Sequence, residues 1–233
     1  MSKSPTKLPV PKVCSAIYAV MTPHPLDRED HVAMPMEFLL RLRGSSDLGM
    51  KRLKKRPFQY LIKGESDTAG AGEMAYQTRV QALELAEAHD GVAVDMLLPR
   101  VIEHGSGTTS LSNASQWFVF EYDADEDGHI MTHGLDQFGL PELHSFGVPP
   151  AQKAMYDAVL TGIAYRLIDE WPANDPIGPA TITLRDIAYG FGDPAADSTP
   201  NDRTVDVTLT YAEDEHELHV TLHDDPATSL FQA

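Results

Sequence analysis

The sequence predicts an α+β fold: a mixed, mostly antiparallel sheet packed with two main helices, at about 73–89 and 150–170, and a C-terminal β-hairpin at about 204–223. Three observations predict it. Apolar residues alternate with polar ones through Val205, Val207, Leu209 and Tyr211, and again through Leu218, Val220 and Leu222, the period of a half-buried strand. Two longer stretches carry apolar residues at helical spacing, and strand-like runs occur both around a helix and in direct succession.

Taken in order, residues 1–12 hold three prolines, two serines and three lysines and read as a flexible lead-in. The following 13–233 reads as one α+β domain, with two αβ halves, 13–104 and 116–233, as its internal division. Ser15–Met21 is a buried strand ended by Pro23-His-Pro25. Val32–Leu42 has a helical apolar cluster in Met36, Leu39 and Leu40. Phe58–Ile62 suits a strand, Gly64–Gly72 a loop, and Glu73–His89 a helix with its stripe through Tyr76, Val80 and Leu83, ended by Asp90-Gly91. Val92–Leu97 is a strand, so a crossover is expected. His104–Gln116 is a polar loop. Trp117–Tyr122, His129–Thr132 and Glu142–Phe146 read as strands. Pro149-Pro150 opens the longest helix, whose apolar face holds Tyr156, Val159, Leu160, Ile163 and Leu167. Thr181–Leu184 is a short strand and Tyr189–Asp202 a loop.

Composition bounds the function. The 233 residues are 42% apolar and 23% charged, ordinary globular material. The single Cys14 excludes an internal disulfide and any cysteine-cluster zinc or iron–sulfur site. The apolar run Ala16–Met21 is far too short to cross a bilayer, and no secretory leader is evident. A soluble, cytoplasmic protein is expected, with no membrane partner. The net charge of −17 repels nucleic acid and anionic lipid. Against that background Arg41, Arg43, Lys51, Arg52, Lys54, Lys55 and Arg56 form a basic segment opposed only by Asp47. These seven cations are the candidate partner-binding residues, with a solvated loop as the alternative reading. Aromatic interleaving is limited to Phe58 and Tyr60, so the partner expected is another protein rather than nucleic acid.

Chemical motifs are sparse. Asp123-Ala-Asp125-Glu-Asp127-Gly128 matches the first half of an EF-hand loop, but position 12 is Gly134 instead of a bidentate Glu, and an acidic turn explains the same residues. Ser4-Pro-Thr-Lys7 matches SxxK only inside the lead-in. No GxSxG elbow is present, and Gly70-Ala-Gly72-Glu73 lacks the third glycine and the P-loop lysine. No cofactor is expected. His216-Glu-Leu-His219 is one residue short of HExxH, and on a strand Glu217, His219, Thr221 and His223 share its polar face. The candidate metal ligands are His129, His133, Glu142 and His144, which converge if the strand after His133 folds back.

Thr132-His-Gly134-Leu135-Asp-Gln-Phe138-Gly139-Leu140-Pro141-Glu142-Leu143 resembles the signature of an uncharacterised bacterial family, domain of unknown function 4261; Asp90–Asp95 and the helix from Met155 fit its layout. His144 departs from that pattern, which carries an acidic residue there. The resemblance implies no activity and no cofactor. Elimination then favours a non-enzymatic, protein-binding protein, such as an immunity or accessory factor of a bacterial toxin or secretion system. The alternatives are a hydrolase or metal-dependent enzyme with a site in 129–144, and nucleic-acid binding through 41–56. The oligomeric state is not legible.

Overall fold

The computed structural model describes residues 7–27, 29–102, 109–123 and 128–231. The EF-hand-like turn and the Ser4–Lys7 match therefore fall largely outside the described residues. The fold is α+β, with its strands divided over a four-stranded and a six-stranded sheet. The chain separates into two compact units, Val13–Thr109 and Ser110–Ala233 with Met1–Lys12. The dividing point lies inside the polar 104–116 stretch.

In the first unit β1 (Cys14–Thr22) is the second strand of the order β2-β1-β3-β4, with β2 at Phe58–Ser66, β3 at Val92–Asp95 and β4 at Arg100–Ile102. Both β2 and β3 pair antiparallel with β1. They therefore run parallel to each other, and the helix that follows β2 is the crossover expected from the sequence. Helices on both faces explain why β1 is buried along most of its length. Two short helices supply one cover: α1 (Glu37–Leu42) and α2 (Asp47–Leu53) place Leu40 and Met50 on Ala19, Met21, Val92, Val94 and Val101. The basic stretch is thus helical rather than a loop; Ser46 starts α2 by accepting the Gly49 N–H at 3.0 Å.

The crossover helix α3 (Ala71–Ala88) covers the other face. Small buried residues on its underside, Ala71, Ala75, Ala82 and Ala86, let it approach closely. At Gly64 of β2 an added Cβ would come within 2.1 Å of Thr78 Oγ1. Beneath α3 the sheet carries Tyr18, Asp95 and Arg100 as successive cross-strand neighbours. Asp95 accepts the Leu97 and Leu98 N–H groups at 3.1 and 2.9 Å. Burial pushes its carboxyl up, while these N–H groups and the guanidiniums of Arg100 and Arg79 pull it back; burial in turn lowers both arginines.

The second unit has the order β5-β6-β7-β10-β9-β8: β5 is Val119–Tyr122, β6 Ile130–His133, β7 Glu142–Ser145, β8 Gly178–Thr183, β9 Thr204–Ala212 and β10 Glu217–Leu222. All neighbours are antiparallel except β7 and β10. The expected terminal hairpin is β9–β10, with Val205, Val207, Leu209, Leu218 and Val220 buried and Asp206, Thr210 and Thr221 exposed. Helix α4 (Lys153–Glu170) fills the predicted long helix after a 3-10 turn at Pro150–Gln152, and its Ile163 and Leu167 share a pocket with Ile182 and Leu209. A further helix, α5 (Leu184–Gly190), starts with a capping box between Thr183 and Asp186. It lies tight on α4: a Cβ at Gly190 would sit 2.6 Å from the Thr161 carbonyl oxygen. A last turn, α6 (Pro226–Ser229), follows β10.

Asp95 gives the first unit a sharp test. Asp95→Ala leaves the buried guanidiniums of Arg79 and Arg100 without their shared counter-charge, so urea denaturation is expected to show a loss of about 3–5 kcal/mol in unfolding free energy.

Candidate functional site

The basic segment resolves into structural and solvent-facing cations. Arg56 is only 8% exposed. Its Nε donates to the Asp90 carbonyl, its Nη2 to Asp90 Oδ1 at 2.9 Å and its Nη1 to the Arg52 carbonyl at 2.9 Å. Arg52 reaches the same junction, 3.9 Å from Asp90 Oδ1. These two arginines therefore tie α2 to the turn between α3 and β3. Arg41 Nη1 lies 2.6 Å from Asp47 and its Nη2 3.0 Å from Glu37, which also takes Lys54 Nζ at 2.9 Å. These contacts link α1 to α2, and the Arg41 and Lys54 hydrogen bonds hold the Glu37 carboxyl below its usual range. Lys51 and Lys55 are exposed, and Arg43 is half-buried.

What the charge pattern did not announce is the apolar material between these cations. Leu40 is buried, but Met36, Phe38, Leu42 and Leu48 are 67, 68, 53 and 65% exposed. Met36 thus departs from the core role its spacing suggested. Phe38 and Leu42, four apart on α1, point away from Leu40. On α2, Leu48 lies on the side away from Met50 with the exposed Lys51 three residues on, and the exposed Lys55 follows in the turn after the helix. Exposed apolar side chains and exposed lysines thus both occur on the two helices and at their ends.

The second cluster lies on the polar face of the six-stranded sheet. The sequence proposed His129, His133, Glu142 and His144 as one group; the register separates them. Glu142 accepts from Thr132 Oγ1 at 2.7 Å and from the N–H groups of Gly134 and Leu135 at 2.7 and 3.0 Å. It thus caps the 3-10 turn Leu135–Phe138, at whose start Gly134 takes a φ of 122°. His133 Nε2 faces Glu121 at 2.9 Å. His129 and His144 instead meet two residues of β10. His129 Nε2 and His144 Nδ1 are 3.0 Å apart, His144 Nδ1 is 3.4 Å from Glu217 Oε2, and His219 Nε2 is 2.9 Å from the same oxygen. The parallel register places His219 beside His144 and Glu217 beside Glu142. Phe146 stacks on His129 at 4.4 Å and meets His219 edge-on at 5.0 Å. The polar face of β10 was legible from its alternation; its meeting with His144 was not, because it depends on a pairing between distant segments.

Burial governs the titration here. It pushes the Glu142 carboxyl up to about 7, opposed by the Thr132 and backbone hydrogen bonds and assisted by Asp136. It lowers His144 to about 4, opposed by Glu217 and assisted by His129, His219 and His133. The two act oppositely on stability. Between about 4.5 and 7 folded Glu142 binds more protons than the unfolded chain, so its contribution falls as pH rises. Between about 4 and 6.5 folded His144 binds fewer, so its contribution is lost as pH falls.

Two outcomes are expected. Glu142→Gln removes the falling limb, so denaturation midpoints of that variant climb more steeply from pH 4.5 to 6.5 than those of the parent. Arg56→Ala lowers unfolding free energy by about 1.5–3 kcal/mol through the loss of hydrogen bonds to a charged group, whereas Lys51→Ala and Lys55→Ala stay within about 0.5 kcal/mol, all read by chemical denaturation.

No protein-family model matches this chain, and no curated protein or solved structure matches it either.

Proposed function

We propose that this protein works by binding another protein, through the outer surface of α1 and α2, and is not itself a catalyst. One observation carries the reading: the four large apolar side chains of Met36, Phe38, Leu42 and Leu48 stand in solvent within thirteen residues, on two short helices and at the N-cap of the first. Isolated exposed apolar residues are ordinary, but a cluster of them marks an interaction surface. Covering them releases about 25 cal/mol for each Å² of apolar surface. An aromatic at the centre with charge at the rim is the usual composition of a binding hot spot.

The rim specifies the chemistry of the partner. Of the seven cations, Arg41, Arg52, Lys54 and Arg56 meet the three carboxylates Glu37, Asp47 and Asp90, so a positive excess remains. Arg41, Arg52, Lys54 and Arg56 are engaged within the fold, and the exposed Lys51 and Lys55 supply the outward charge. A protein segment with apolar side chains flanked by Asp or Glu fits this surface; the uniform charge of a nucleic-acid backbone does not use its apolar centre. The immunity or accessory role in a bacterial toxin or secretion system is the setting in which this reading places the protein.

A photo-crosslinking residue in place of Phe38, introduced in the native cell, tests it. One dominant protein adduct is expected, lost when Leu42 and Leu48 are changed to Ser and absent with the crosslinker at exposed Gln77 on α3. With the purified partner, Phe38→Ser is expected to weaken binding by about 2 kcal/mol while stability changes by no more than about 0.5 kcal/mol. Equal adducts at positions 38 and 77, or none at either, would reject the surface.

A further inference from the structure

The polar face of the six-stranded sheet holds a second site of a different kind. Strands β7 and β10 and the residue before β6 bring three imidazoles and a carboxylate into one chain of contacts, His129 to His144 to Glu217 to His219, and the part contributed by β10 depends on a pairing between distant segments. We propose that His129, His144, Glu217 and His219 bind one divalent transition ion of the zinc type.

Donor spacing is the first argument. A tetrahedral zinc ion about 2.0–2.1 Å from each nitrogen or oxygen donor sets those donors about 3.3 Å from one another. The distances here are 3.0 Å for His129 Nε2 to His144 Nδ1, 3.4 Å for His144 Nδ1 to Glu217 Oε2 and 2.9 Å for Glu217 Oε2 to His219 Nε2. These three consecutive edges are within a few tenths of an ångström of those of a coordination shell. The remaining three edges are longer, since among the described residues only Glu215, Glu217 and His219 have ligand atoms all within 4.8 Å of one another, and side-chain rotation has to close them.

Rigidity is the second. His144 is 3% exposed and sits on β7 between two paired strands. Its neighbour His219 is fixed beside it by the parallel register, and the two rings lie 6.1 Å apart between centroids. Phe146 lies against both His129 and His219 and restricts their rings. Such supporting contacts orient metal ligands and hold affinity. The third argument is donor type. Three nitrogens and one oxygen suit zinc and its neighbours, whereas calcium and magnesium take oxygen shells. Glu215 offers one more oxygen, its ligand atom lying within 4.8 Å of those of Glu217 and His219. The ligand set therefore differs from the sequence-level group: Glu142 and His133 are already engaged by the 3-10 turn and by Glu121.

The test is titration of the chelator-treated full-length protein with Co2+, followed by Zn2+ competition against a chromophoric chelator. One equivalent of Co2+ with the visible absorption of a low-coordinate nitrogen/oxygen site is expected, and Zn2+ should displace it. Zn2+ should also raise the melting temperature. His219→Ala and Glu217→Gln, both at partly exposed positions, are each expected to weaken Zn2+ binding at least tenfold with unchanged far-UV circular dichroism; His133→Ala should bind like the parent. A stoichiometry other than one, or parental affinity in both His219→Ala and Glu217→Gln, means adventitious binding to scattered histidines and overturns the proposal.

Discussion

The parallel pairing of β7 with β10 is the constraint on which the second unit depends. It joins the strand before α4 to the last strand of the chain, with α4, β8, α5 and β9 all lying between them in sequence. Its register decides both faces at once. On one side Leu143 and Leu218 become buried neighbours in the core; on the other, His144 and His219 become neighbours around Glu217. A slip of one residue would exchange the two faces and bury charge where apolar side chains now lie. The core therefore enforces the geometry of the polar cluster.

Local pattern carried most of the fold. The hairpin β9–β10, α3 and α4 were legible because period 2 and period 3.6 act within a single segment. The elements that were not read are short: β4 has three residues, and α2 and α5 have seven each. Their signals are caps, Ser46 before α2 and Thr183 with Asp186 at α5, set in stretches whose glycines and charges read as loop. The division of the strands over two sheets was likewise hidden, since it depends on which distant strands pair.

The two candidate surfaces show different limits of sequence reasoning. Charge counting found the basic stretch but assigned one role to seven side chains that the structure sorts into several. Arg56 is a buried tie, Arg41 and Lys54 hold two helices together, and Lys51 and Lys55 face water. The apolar residues among them were mistaken in part for core, because a six-residue helix has too few turns for periodicity to separate an inner face from an outer one. In the histidine cluster, two of the four grouped residues, His129 and His144, do meet, and the side chains they meet with are Glu217 and His219, whose shared strand face was visible but whose partner strand was not.

The order of strands in the first unit also shapes how it can be made. Strand β1 emerges first during synthesis, yet it lies between β2 and β3, and those two flanks are joined through α3. One edge of β1 can be paired once Phe58–Ser66 has been translated, while the other stays open until Val92–Asp95 follows, so a largely apolar strand spends that interval half-paired. Every later strand then joins a free edge, β3 beside β1 and β4 beside β3, so this half of the molecule can be assembled in the order in which it is translated.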